Sequence, residues 1–306
     1  LQDATSRAVA AQYEAHPYPR WERVAARQPM PVADILAPLL PHTRERLAPL
    51  PEPLQVLIAG CGTGQQALTA VSRFAGAQVT ALDLSRASLG FAARKAADSP
   101  FAARIEWIQG DILQIGQLGR QFHVIECAGV LHHMAEPMAG WRALRDVLAP
   151  GGLMSIALYS EAARRPVVAA RRWIADQGLR PTLVGLREAR AGLRALPHDH
   201  PARAIVDSPD FGTASELRDL IFHVQEHRFT APKIETSLRA LDLEFLGFDL
   251  PSTKVRQAYE RAFPDDPRAL DLSNWDRFED DHPNIFGGMY QFWARRRGDG
   301  GLPLRP

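Results

Sequence analysis

Between Leu54 and Tyr159, short apolar runs alternate with stretches whose apolar residues recur every three or four positions. That rhythm marks βαβ units feeding a parallel sheet. Strands are expected at 54–59, 77–83, 104–109 and 122–128. A helix is expected over 65–74, where Ala67, Leu68, Val71 and Phe74 share a stripe. Ser85 is a candidate N-cap for a second helix running to about Ala97, where Ser99-Pro100 stops it. A third, over 138–148, carries Met138, Trp141, Leu144 and Leu148 on one face. Pro150-Gly151-Gly152 should then break the chain before a fifth strand at 153–159.

After Tyr159 the alternation lapses. Residues 160–230 read as helical and irregular, an insertion after the fifth strand. The rhythm resumes with a helix at 233–241 and a strand at 243–248. The run Met289 to Ala294 is the last strand, expected to be antiparallel and inserted between its neighbours. The implied organisation is an N-terminal arm (1–50), a core (51–160), a helical lid insertion (161–230), the rest of the core (231–297) and a frayed tail (298–306).

The first strand ends in Ala59-Gly60-Cys61-Gly62-Thr63-Gly64-Gln65. Glycines there let the backbone turn tightly and approach a ligand, while the free N–H groups of the following helix face it. The dinucleotide fingerprint would need its third glycine at 65, which is Gln65. Asp83 ends the second strand, where a carboxylate can accept from both hydroxyls of an adenosine ribose. Gly110-Asp111-Ile112 follows the third strand.

In order and spacing, Gly60 to Gly64, Asp83, Gly110-Asp111 and Pro150-Gly151-Gly152 resemble the motif set of class I S-adenosylmethionine (SAM) dependent methyltransferases. The resemblance covers roughly residues 54–160. It implies a Rossmann-like α/β fold with a seven-stranded, mostly parallel sheet and helices on both faces. It also implies SAM as cofactor, S-adenosylhomocysteine as product, and Asp111 beside the adenine amino group. The cofactor-binding set is then Ala59, Gly60, Cys61, Gly62, Gly64, Gln65, Asp83, Leu84, Asp111 and Ile112. Tyr13 to Trp21, Leu158 to Glu161, His223 to Phe229 and Phe286 to Trp293 are similar to the methyltransferase domain that some bacterial tetratricopeptide-repeat proteins carry. Such repeats are not visible here. One position departs from the pattern: many class I enzymes have Asp or Glu where Ala59 stands, to hold the ammonium of SAM. A backbone carbonyl near Gly60, the Gln65 side chain or the N-terminal arm is expected to take over that role.

Three groups are candidates for substrate chemistry. Methyl transfer needs an aligned nucleophile and, for some acceptors, a base. His132 and His133, in the loop after the fourth strand, have the side chain whose charge changes near neutral pH. His223-Val-Gln-Glu226-His227 is the second group. A helix through it would bury Leu217, Leu220, Ile221 and Val224 and gather Asp219, His223, Glu226 and His227 on the polar side. The four-residue spacing of His223 and His227 also suits a metal pair, with His198, His200, Glu279 or His282 as a third ligand, but no cysteine–histidine pattern supports zinc and no metal is expected. The third group is the arm His16-Pro-Tyr18-Pro-Arg20-Trp21, too proline-rich for a helix. Tyr18, Arg20 and Trp21 are placed there to close over SAM, or else to pack on the sheet.

Composition narrows the choices. The 306 residues include 36 basic against 35 acidic, a balance that argues against a dedicated nucleic-acid binder. No apolar run approaches the ~18 residues of a membrane span, and no leader pattern opens the chain at Leu1. The two cysteines, Cys61 and Cys127, fit a reducing cytoplasm. Residues 160–205 hold nine arginines against four acids, and 265–281 seven acids against Arg268 and Arg277. Either the basic insertion faces an acidic substrate, such as a carboxylate or phosphate, or the two patches are solvated faces or face each other. The expected activity is methyl transfer to O or N of a small metabolite, or of a peptide side chain or carboxylate. A catalytically silent SAM-binding module and an RNA methyltransferase are the alternatives.

Overall fold

A computed structural model describes residues 4–25, 27–43 and 47–299. Most of the expected tail lies outside the described residues. Seven strands make one sheet: β1 (Leu54–Ala59), β2 (Ala77–Asp83), β3 (Ile105–Gln109), β4 (Phe122–Ala128), β5 (Leu148–Tyr159), β6 (Leu243–Phe248) and β7 (Met289–Arg296). Their spatial order is β3-β2-β1-β4-β5-β7-β6. All pairings are parallel except those of β7, which runs antiparallel between β5 and β6. The strand order reverses between β1 and β4, the point at which open α/β sheets bind ligands beyond their carboxyl ends.

The helices are α1 (Ala4–Ala15), α2 (Val32–Leu36), α3 (Gln65–Arg73), α4 (Arg86–Ala96), α5 (Pro137–Asp146), α6 (Arg165–Asp176), α7 (Leu183–Ala195), α8 (Ala214–Phe222), α9 (Ala231–Ala240), α10 (Thr253–Ala262) and α11 (Leu272–Asp281). Alternate residues of β1 feed opposite faces, as a period of two requires. Leu57 packs with Trp141, Ile234 and Trp275 on one face, while Val56 and Ile58 pack with Ala67, Val71 and Leu36 on the other. The insertion has a core of its own, built from Val167, Ile174, Leu186, Leu193, Phe211, Leu217 and Ile221.

Two expectations need correction. Pro150-Gly151-Gly152 lies inside β5 rather than before it. Phe122 pairs with Leu148 and Val124 with Leu153, so the Pro-Gly-Gly turn loops out as a bulge, with Gly151 at φ 71°. The helix through His223-Val-Gln-Glu-His stops at Phe222. His223 already has extended backbone (φ −59°, ψ 135°), and Val224, expected to be buried, is 54% exposed. His223, Glu226 and His227 therefore share no helical face. Among the described residues, no cluster of three or more His, Cys, Asp or Glu is placed to hold a metal, and no helix is long and apolar enough to cross a membrane.

Candidate active site

A cavity of about 430 Å³ opens over the carboxyl ends of β1 to β5. Gly60, Cys61, Gly62 and Gln65 line it after β1, Asp83 and Leu84 after β2, and Asp111 and Ile112 after β3. Val130, His133 and Met134 come from the loop after β4, and Tyr159 from the end of β5. Ser6, Val9 and Tyr13 of α1, together with Tyr18, roof it, and Asp219 of α8 closes the far end.

The glycine loop is shaped by close approach. Gly62 has φ 51°, and a Cβ there would stand 2.4 Å from the Tyr18 carbonyl oxygen. Gly64 is the left-handed N-cap of α3; a Cβ there would meet Ala92 at 2.6 Å and Trp107 at 2.9 Å. Gly64 thus sets helix–sheet packing and lies outside the cavity lining. Asp83 braces the loop: its Oδ2 accepts from the Gly62 N–H at 2.7 Å and its Oδ1 from the Ser85 N–H at 2.9 Å. Burial pushes its carboxyl above the usual range. Asp111 Oδ1 accepts from Leu113 N–H at 3.0 Å and caps the turn that follows β3.

The histidines are sorted by their hydrogen bonds. His133 Nδ1 lies 2.6 Å from the Gln225 carbonyl oxygen, which can only accept. Nδ1 therefore carries the proton, and Nε2 of neutral His133 is a bare acceptor. The Gln225 N–H donates to His223 Nδ1 at 3.1 Å, so the proton of His223 is on Nε2, which faces the Tyr13 hydroxyl at 3.3 Å. One residue, through its N–H and its C=O, thus sets both tautomers, and the two rings stack with centroids 3.5 Å apart. His132 accepts from the Tyr159 N–H at 3.2 Å through Nδ1, and its Nε2 is sealed without a partner. Burial, then the neighbouring cations, holds His132 well below the ordinary imidazole range. For His133 it is burial, then its neighbouring histidines; for His223 burial, then Arg171, lowers the value to about 4.

Several expected site residues stand apart from the cavity. Ala59 is fully buried in the sheet, and Arg20 is exposed. Trp21 packs against Phe91 in the core and donates to Thr63 O at 3.0 Å, so the arm is split between roof and core. Glu226, 2% exposed, pairs with Arg164 at 2.5 Å and Arg171 at 2.9 Å; this draws it under the insertion and away from the cavity. His227 lies 3.2 Å from the Ala135 carbonyl oxygen. Tyr159 lines the cavity without having been singled out from the sequence. Its ring is stacked between His132 (3.7 Å) and the guanidinium of Arg164 (3.9 Å), a sandwich that no local motif announces. Cys61 and Cys127 are buried free thiols.

Residues 56–152 match the model of a methyltransferase domain family. An uncharacterised protein of Synechococcus sp. is 29% identical over 302 residues, covering 91% of this chain and 68% of that one. A ubiquinone biosynthesis O-methyltransferase of Cereibacter sphaeroides is 34% identical over 112 residues, covering 36% of this chain and 44% of its own. Among solved structures, PKMT2 from Rickettsia typhi in complex with AdoHcy superposes with a TM-score of 0.66 at 17% identity. That alignment covers 94% of this chain but 55% of that one, so the chain spans about half the length of this structural relative. The sheet order and these matches agree: the chain has the Rossmann-like fold of this structure, and its residues 56–152 match the methyltransferase domain family.

Proposed function

We propose that the chain methylates an oxygen or nitrogen of a small metabolite, or of a peptide side chain or carboxylate, with His133 as the proton acceptor. The carrying observation is the bare Nε2 of His133 in the same cavity as the glycine loop. Bound SAM supplies a methyl group on a sulfonium, and its transfer leaves S-adenosylhomocysteine and an acceptor proton to be removed.

The residues present suit that cofactor. Asp83 is held by two backbone N–H groups in the place where a ribose diol would donate to it. Asp111, with Leu84 and Ile112 beside it, suits the adenine end. Gly60, Cys61 and Gly62 keep the loop thin enough for close approach, and the uncapped start of α3 at Gln65 favours a carboxylate. Tyr13 and Tyr18 roof the cavity and keep water from it. Gln225 keeps Nε2 of His133 free to accept, and Tyr159 walls the substrate side. The insertion, through α8, serves as the lid over the acceptor.

The test is S-adenosylhomocysteine formation from SAM with phenol, amine and carboxylate acceptors. His133→Ala should bind S-adenosylhomocysteine as wild type does and lose about 10²- to 10⁴-fold in turnover. Wild-type turnover in that variant would exclude His133 as the base. Cofactor binding by the wild-type chain without turnover of any acceptor class would favour a binding module instead.

A further inference from the structure

Three carboxylates line the cavity, and the protein uses them differently. Asp83 gives both oxygens to backbone N–H groups, and Asp111 caps a turn. Asp219, 7% exposed, takes both of its donors on one oxygen: Tyr13 O–H at 2.8 Å and Gln12 Nε2 at 3.4 Å reach Oδ1. No described residue donates to its Oδ2. The nearby cations Arg164 and Arg171 are committed to Glu226. That oxygen is not sealed in the core: it reaches the open cavity with acceptor lone pairs to offer a ligand.

The cofactor has three ends that carry polar hydrogens: the adenine amino group, the ribose diol and the ammonium of its amino-acid portion. Asp111 and Asp83 stand by the strand ends that suit the first two. At Ala59, where the related enzymes often place an acid for the third, a buried methyl group cannot serve. Gln65 lines the cavity but is neutral, and its place at the start of α3 suits the carboxylate of that same portion.

We infer that Asp219 holds the ammonium of SAM, replacing the acid missing at position 59. The cofactor site is then completed by α8 of the insertion rather than by the glycine loop. Gln12 and Tyr13 are positioning residues: they fix Oδ1 and so aim Oδ2. This rests on reading the cavity as the SAM site, and the test separates the two ideas.

The experiment is calorimetric titration of the full chain with S-adenosylhomocysteine and with 5′-methylthioadenosine, which lacks the amino-acid portion. Asp219→Asn keeps the shape and can still accept from Tyr13. It should weaken S-adenosylhomocysteine about 10- to 100-fold, the loss of one charge-assisted contact, and leave methylthioadenosine within about twofold. Tyr13→Phe should weaken only S-adenosylhomocysteine, by a smaller factor of about 2 to 10. Unchanged S-adenosylhomocysteine affinity in both variants, or equal losses for both ligands, would overturn the assignment. A wild-type chain that binds neither ligand would instead overturn the SAM site itself.

Discussion

Asp83→Ala tests the cofactor site at the point where fold and ligand share one side chain. In the free protein this carboxylate accepts from the Gly62 and Ser85 N–H groups, tying the glycine loop to the start of α4. Each such bond to a charged group is worth about 1.5 to 3 kcal/mol, but burial also penalises the charge, as the raised Asp83 carboxyl shows. The two effects oppose each other, so the free chain should lose only about 1 to 3 kcal/mol of stability. Binding has no such compensation, because the ribose hydroxyls lose their acceptor and Gly62 is no longer braced. Affinity for S-adenosylhomocysteine should fall about 10- to 100-fold, or about 1.4 to 2.8 kcal/mol. Asp83→Asn should recover little, because its NH₂ would face one of the two N–H donors. Calorimetry measures the affinity and thermal melting the stability. An affinity within about twofold of wild type, with the fold intact, would refute the placement of the ribose at Asp83.

Glu226→Gln should destabilise the chain by about 3 to 5 kcal/mol, because it leaves the buried Arg164 uncompensated; denaturant unfolding showing under about 1 kcal/mol would mean the pair is solvated. A pH prediction follows from Asp219, whose carboxyl burial raises from 3.8 to about 6, with Asp210 adding to the rise and Tyr13, Arg164 and Arg171 opposing it. Because the folded value lies above the unfolded one, this group's contribution is full below about 4 and is lost as pH rises through about 6, costing the free fold roughly 3 kcal/mol. Binding has the opposite sign, since an ammonium needs the ionised form. S-adenosylhomocysteine affinity should therefore drop as pH falls below about 6 relative to methylthioadenosine, and Asp219→Asn should flatten that difference; parallel pH curves for the two ligands in wild type would contradict it.

The sheet was legible because its central strands are apolar on both faces and end in turn residues, so β1, β2 and β4 declare themselves locally. The loops at their carboxyl ends follow from that, which is why Gly60, Gly62, Asp83 and Asp111 were readable as a set. His223-Val-Gln-Glu-His misled because a four-residue spacing has meaning only while the helix lasts. Glu226 is instead drawn to Arg164 and Arg171, residues about 60 and 55 positions earlier, and long-range charge pairing leaves no periodic trace. The charge patches likewise gave no sign of their individual partners. Among the insertion's arginines, Arg171 donates to the Leu220 carbonyl oxygen and Arg190 to that of Thr213, holding the insertion together from within. In the acidic stretch, Asp271 caps α11 and Asp266 accepts from the Tyr259 hydroxyl. Local composition counted these as patches, whereas the fold uses several of them as single hydrogen-bonding groups.

The N-terminal arm divides its residues between two places: Tyr18 lines the cavity, and Trp21 packs in the core. Trp21 enters the core and its indole N–H fastens Thr63, whose own N–H donates to the Tyr18 carbonyl oxygen at 3.2 Å. Glu14 accepts from the Ser85 hydroxyl at 2.9 Å and the Ala87 N–H at 3.1 Å, at the start of α4. Both anchors lie on loops that follow β1 and β2. The opposite side of the same arm holds the insertion, through Gln12 and Tyr13 on Asp219 and the Ser215 hydroxyl on the Pro17 carbonyl oxygen at 3.3 Å. The insertion, with a hydrophobic core of its own, is thereby pinned across the cavity to the loops that shape the cofactor end. Residues 12–21 thus give one hydrogen-bonded route between the glycine loop and α8, and the His133–Gln225–His223 bonds give a second from the loop after β4 to the end of α8.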